Sequence, residues 1–154
     1  MIVLSEGKHY LIGFDDKRKK ITAYRISRME EVKNTYEPRD NEEKFKFIGI
    51  SDYARQTFGM FIGSRAKRIT MICHNNLLDT MIERFGTSTA TYKKKDEDHF
   101  TITTGIVVSP QFYGWLLGLG GLAVIEDSGE EDSVAKKYLR YIETMKEIQQ
   151  KSVE

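Results

Sequence analysis

Hydrophobic and polar positions alternate along two arms near the start of the chain, over residues 9–28, HYLIGFDDKRKKITAYRISR. Residues 2–4 and 10–14 read as one strand bent near Gly7. Asp15, Asp16 and Lys17 form a turn, and residues 21–28 read as the return strand. Side chains alternate faces along a strand, so Ile21, Ala23, Arg25 and Ser27 fall on one side, and Thr22, Tyr24, Ile26 and Arg28 on the other. Arg25 and Arg28 then point apart, and only a bulge or a barrel rim brings them into one site.

Residues 29–46 carry Pro38 and five glutamates with little apolar content, and read as a linker. A short helix over residues 51–58 follows, with Ser51 as its cap and Gly59 and Gly63 bracketing the next connection. From Lys67 onward the pattern is clearer. Residues 68–74 are strand-like. Asn75 or Asn76 caps a helix in which Leu77, Leu78, Met81, Ile82 and Phe85 fall at helical spacing, and Gly86 stops it. Residues 87–93 and 100–108 form a hairpin around a charged turn. Ser109 and Pro110 open a helix that runs through Trp115 to about Leu119, where Gly120 and Gly121 end it. Residues 122–126 form a strand. Asp132 or Ser133 caps a last helix whose buried stripe is Val134, Tyr138, Tyr141, Ile142, Met145 and Ile148. The order strand, helix, strand, strand, helix, strand, helix is the ferredoxin-like split βαβ arrangement with an added terminal helix, an α+β fold. That fold hosts many functions and decides little about chemistry.

Composition narrows the classes. A chain of 154 residues, 40% hydrophobic and 31% charged, accommodates one domain or two small ones. Its longest mostly apolar stretch, residues 112–125, is too short to span a bilayer, and no basic segment of a signal peptide precedes Ile2. These features predict a cytoplasmic protein with no membrane partner. The single cysteine, Cys73, excludes an internal disulfide framework and reads as a small buried hydrophobe.

Formal net charge is only +1, yet six of the twelve residues from Lys17 to Arg28 are Lys or Arg and none is acidic. Such a patch, with Tyr10 and Tyr24 nearby, suits an anionic partner: arginine offers a planar fork for phosphate, tyrosine a plane on which a base stacks. The plainer reading is a solvated edge hairpin whose lysines only discourage aggregation, with the tyrosines as half-buried packing residues. Arg65, Lys67 and Arg68 read as a solvated strand entrance rather than a second site.

Enzyme signatures are scarce. His9, His74 and His99 show neither H-x-H nor H-x-x-x-H spacing, and Cys73-His74 is one ligand pair without a second, so no metal or cofactor is expected. Gly49-Ile50-Ser51 and Gly63-Ser64-Arg65 lack the glycine pattern of a nucleophile elbow. Gly114, Gly118, Gly120 and Gly121 lie within and after a helix rather than opening one, so they form no phosphate loop. Helix-dipole compensation accounts for Glu130, Glu131 and Asp132.

His9-Tyr10-Leu11, followed by Tyr24-Arg25-Ile26-Ser27-Arg28-Met29, resembles the core of a WYL domain. That family is named for a Trp-Tyr-Leu triplet, with an arginine-rich strand after the turn. Phe58-Gly59-Met60, the helix end Ile82 to Gly86, and Val108-Ser109-Pro110-Gln111-Phe112-Tyr113-Gly114-Trp115-Leu116 are similar to the extension that follows such domains. The resemblance implies a bacterial transcriptional regulator in which a DNA-binding helix-turn-helix precedes an Sm- or SH3-like WYL barrel and a ferredoxin-like extension that supports dimers. On this reading residues 1–36 are a partial WYL domain, 37–65 a linker with a short helix, and 66–154 the extension. Arg25 and Arg28 match the second and third arginines of the strand, and Tyr10 and Leu11 the last two letters of the triplet. His9 stands for the Trp, Ser27 for an Asp, and Thr22 for the first arginine, which removes one cationic fork.

The expectation is therefore a non-enzymatic, homodimeric sensing module that binds a nucleic-acid or nucleotide-like effector through Arg25, Arg28, Tyr24, Tyr10 and His9. DNA would be reached through a helix-turn-helix outside this sequence. The alternative is a pure protein–protein interaction module with no ligand.

Overall fold

The computed structural model describes residues 2–5, 7–38 and 66–153. The expected helix at 51–58, the glycines at 59 and 63, Arg65 and the linker from residue 39 onward lie outside the described residues. The chain divides into two compact units, Met1–Arg65 and Ala66–Glu154. It is α+β, with two antiparallel sheets and, among the described residues, three α-helices.

The first unit holds a three-stranded sheet of β1 (Ile2–Ser5), β2 (Lys8–Asp15) and β3 (Lys20–Arg25), in that spatial order. Two expectations are corrected here. Residues 2–14 are not one bent strand: at Gly7, whose φ of 71° is open to glycine at little cost, the chain reverses fully and β1 pairs antiparallel with β2. The return strand does not reach residue 28: it stops at Arg25, and Ile26–Arg28 tighten into a single 3₁₀ turn, with the Met29 N–H donating to the Ile26 carbonyl at 3.0 Å.

Register sorts the side chains. Val3, Tyr10 and Arg25 stand opposite one another on one face, which also carries Ile12 with Ala23 and Phe14 with Ile21. Ile12 is buried and the rest of this face half-buried. The other face carries the row Ile2, Leu11 and Tyr24, with Leu4 opposite His9, and is largely exposed.

The second unit is a four-stranded sheet in the order β5-β6-β4-β7, every neighbouring pair antiparallel. Its elements are β4 (Lys67–His74), α1 (Leu78–Phe85), β5 (Thr91–Lys94), β6 (His99–Ile106), α2 (Pro110–Gly118), β7 (Ala123–Ile125) and α3 (Val134–Lys151). Alternation along β4 and β6 places Ile69, Met71, Cys73, Phe100 and Ile102 in the core with Met81, Phe85, Phe112 and Leu116 of the helices. Burial pushes the Cys73 thiol up to about 12, so it stays protonated, and the cysteine serves as a small apolar residue.

The local signals at helix ends act as read. Ser109 Oγ accepts from the Phe112 N–H at 3.2 Å with Pro110 in the first turn, and Ser133 Oγ accepts from the Lys136 N–H at 3.2 Å. Gly86 ends α1 at φ 68°. The start of α1 differs from expectation: neither Asn75 nor Asn76 caps it. A 3₁₀ turn over Asn75–Leu77 precedes the helix, and the His74 ring accepts the Asn76 N–H at 3.3 Å. β5 begins at Thr91, not at residue 87. Its Tyr92 hydroxyl donates to the carbonyls of Met81 and Gly86, at 3.0 and 2.9 Å, tying the strand to the end of α1.

The stripe on α3 divides. Val134 is buried, and Tyr138 and Tyr141 pack on Tyr113 of α2 with ring centroids 5.3 and 5.1 Å away. Met145 and Ile148 are 41% and 56% exposed, which corrects the expectation that they are buried. The apolar repeat continues for two turns beyond the part of the helix that packs on α2.

Candidate nucleic-acid or nucleotide interface

The hairpin of β2 and β3 sets the geometry of the candidate residues. Tyr10 and Arg25 are direct cross-strand partners on one face. Cross-strand partners hold their Cβ atoms about 4.5–5.5 Å apart, so a ring plane and a guanidinium are presented side by side. Arg25 Nε donates to Ser27 Oγ at 2.8 Å. The 3₁₀ turn makes that bond possible, because it folds Ser27 back toward a residue two positions earlier. One donor of the guanidinium is thereby fixed, and Arg25 forms no ion pair with any described residue. Its terminal nitrogens carry the remaining donors of the planar fork, the kind that meets a phosphate.

Tyr24 and His9 stand on the opposite face, beside Leu11. The Tyr24 hydroxyl donates to Asp15 Oδ2 at 2.8 Å, while Asp15 Oδ1 accepts the backbone N–H groups of Lys17 and Arg18, each at 3.0 Å. Arg18 Nε lies 3.7 Å from the same carboxylate. Chiefly through the Arg18 backbone bond and the Tyr24 hydroxyl, Asp15 is held below the ordinary carboxylate value, and the carboxylate in turn pushes the Tyr24 phenol upward. The hydroxyl of Tyr24 thus serves the turn, and its ring, 39% exposed, is the part that faces outward.

Arg28 lies in the 3₁₀ turn and is exposed, so strand alternation does not fix its side. The five candidates therefore separate into Tyr10 with Arg25 on one face, His9 with Tyr24 on the other, and Arg28 beyond the strand end. Two residues with clear parts here were not singled out for them from sequence. Ser27 orients Arg25, and Asp15 anchors Tyr24. The Asp-turn pattern at residues 15–18 carried the signal for the second.

Elsewhere, Lys67 and Arg68 line a cleft of about 190 Å³ at the start of β4, but Glu126, Asp127 and Asp132 line it too. Asp132 accepts from Lys137 at 2.6 Å and from Arg140 at 3.1 Å, so its charge is already matched. Among the described residues no group of three or more His, Cys, Asp or Glu could hold a metal ion, and no helix is long and apolar enough to cross a membrane.

No curated protein matches the chain. A sequence profile for the WYL domain matches residues 1–34, the segment that contains the β1-β2-β3 sheet and the 3₁₀ turn. WYL domains are generally found in regulators that sense ligands, and the profile match over residues 1–34 supports a WYL-type protein.

Proposed function

We propose that this chain is the sensing and dimerisation part of a bacterial transcriptional regulator, without enzymatic activity, and that its WYL segment binds a nucleic-acid or nucleotide-like anion. One observation carries this reading: Tyr10 and Arg25 stand opposite each other on one face of the WYL-matched sheet, with Arg25 oriented by Ser27. A stacking plane beside a phosphate fork is what single-stranded nucleic acid or a nucleotide requires. Arg28 adds a second cation at the strand end. In the whole regulator, a helix-turn-helix outside this sequence would contact DNA, and the protein would act in the cytoplasm.

On this reading the three-stranded sheet is part of an Sm-like barrel and the second unit a ferredoxin-like extension. The latter rests on connectivity. β4 and β5 run parallel with β6 between them and α1 as their crossover, while β6 and β7 run parallel with β4 between them and α2 as theirs. Two interleaved split βαβ units define that arrangement. Dimerisation is assigned to α3, whose Met145 and Ile148 continue the apolar repeat in exposed positions.

That exposed end also favours the second reading, a pure protein–protein interaction module. Fluorescence anisotropy with a labelled single-stranded oligonucleotide, and with nucleotides as competitors, separates the two. Sensing predicts saturable binding that Arg25→Ala and Tyr10→Ala both weaken, the latter by about 1–3 kcal/mol if a base stacks on the ring. Absence of binding to any oligonucleotide or nucleotide leaves the interaction reading.

A further inference from the structure

The register of β4 and β6 places His74 directly opposite His99 at the end of the sheet, with ring centroids 5.6 Å apart and planes at 85°. Twenty-five positions separate them in sequence, so no spacing motif reports the pair. From this pair we infer a site for a single divalent late-transition-metal ion of the nickel or copper kind, held by the two imidazoles.

Three features support the site. First, the β5–β6 turn is built around one carboxylate. Asp96 Oδ1 accepts the backbone N–H groups of Asp98 and His99 at 2.9 and 2.8 Å, and lies 2.9 Å from His99 Nδ1. A carboxylate only accepts, so Nδ1 carries the proton and the lone pair of His99 sits on Nε2. This carboxylate–imidazole arrangement orients a metal-binding histidine and raises its basicity.

Second, the turn is fastened to the end of β4. The Asn75 N–H donates to the Asp98 carbonyl at 2.8 Å, and its side-chain amide donates to the Glu97 carbonyl at 2.7 Å. The two strand ends cannot separate without breaking these bonds. Third, both rings are half-exposed. The described hydrogen bond of the His74 ring is the long one from the Asn76 N–H, at 3.3 Å. Moving the His74 proton from Nε2 to Nδ1 forfeits that bond, frees Nε2 as a second ligand, and leaves the net proton count unchanged.

Imidazole ligands favour nickel, copper and zinc over magnesium or calcium. Cys73, next to His74, points into the core on the opposite face of β4, so its thiol does not contribute. No third protein ligand stands among the described residues, so water completes the coordination. Two nitrogens with water oxygens suit the tetragonal preference of copper and nickel.

Titration of the full chain with Ni²⁺ by calorimetry, in a non-coordinating buffer, tests the site. One ion binds, His74→Gln and His99→Gln each weaken it at least tenfold, Asp96→Asn weakens it by roughly 10–100-fold, and His9→Gln leaves it unchanged. Circular dichroism of each variant establishes that it is folded. In the unmodified chain, substoichiometric Cu²⁺ broadens the His74 and His99 ring resonances together and spares His9. Failure to bind Ni²⁺, wild-type affinity in either His74→Gln or His99→Gln, or broadening at His9 instead overturns the assignment.

Discussion

The hydroxyl of Tyr24 donates a 2.8 Å hydrogen bond to Asp15 Oδ2, joining the last residue of β2 to the penultimate residue of β3 across the basic turn. The same carboxylate accepts the N–H groups of Lys17 and Arg18, so one side chain organises the reversal that sets the β2–β3 register and, with it, the Tyr10–Arg25 pairing.

This arrangement gives the sheet a defined pH window. Asp15 is held below 3.8, first by the Arg18 backbone bond and then by the Tyr24 hydroxyl. An acid held low in the fold contributes stability that is complete above 3.8 and is lost as pH falls through the lower folded value. Tyr24 is raised above 10.0, chiefly by its bond to Asp15. Its contribution is complete below 10.0 and is lost as pH rises through the higher folded value. Amide-exchange protection of Leu11 and Tyr24, corrected for intrinsic rates, therefore falls at both extremes. Tyr24→Phe removes the alkaline limb and shrinks the acidic one. An unchanged alkaline limb in that variant contradicts the account.

The core of the second unit depends on Phe112, which is fully buried and stacks near Trp115 at 6.3 Å between ring centroids. Phe112→Ala leaves a cavity in that core and costs about 3–5 kcal/mol. Equilibrium denaturant unfolding followed through Trp115 measures it. A loss below about 1 kcal/mol would mean that the site collapses freely, against close packing at this position.

The exposed end of α3 predicts an assembly effect without a folding effect. If α3 forms the proposed dimer contact, Met145→Asp with Ile148→Asp retains helical content and thermal stability but lowers the mass measured by sedimentation from dimer to monomer. Equal masses for the variant and the unmodified chain at the same concentration remove α3 as the dimer contact.

Much of the second unit was legible because its signals are local. Ser109 with Pro110, Ser133 and Gly86 each act within a turn of their own position, so the sequence around them is enough. Long-range pairing was less accessible. The reversal at Gly7 turns one expected strand into two, and alternation on either side of it does not report the change of direction. Alternation puts Arg25 and Ser27 on one face of a regular strand. The 3₁₀ turn that joins them by a hydrogen bond arises where ladder pairing stops, a boundary that alternation does not report. The His74–His99 pair depends wholly on the register between β4 and β6. The α3 stripe was read at the right spacing, but periodicity identifies an apolar face without saying how far its support extends.

Arg25 and Arg28 are proposed to meet the phosphates of an anionic ligand, and the salt dependence of binding reports on those contacts. Each phosphate contact to a single strand contributes a slope of about −0.7 in log K against log salt. Comparing the unmodified chain with an Arg25→Ala/Arg28→Ala variant, on one labelled single-stranded oligonucleotide across a salt series, isolates their share. The account predicts weaker binding and a slope shallower by about 1.4 in the double variant. Equal slopes in the two proteins, or binding that does not respond to salt at all, would contradict it.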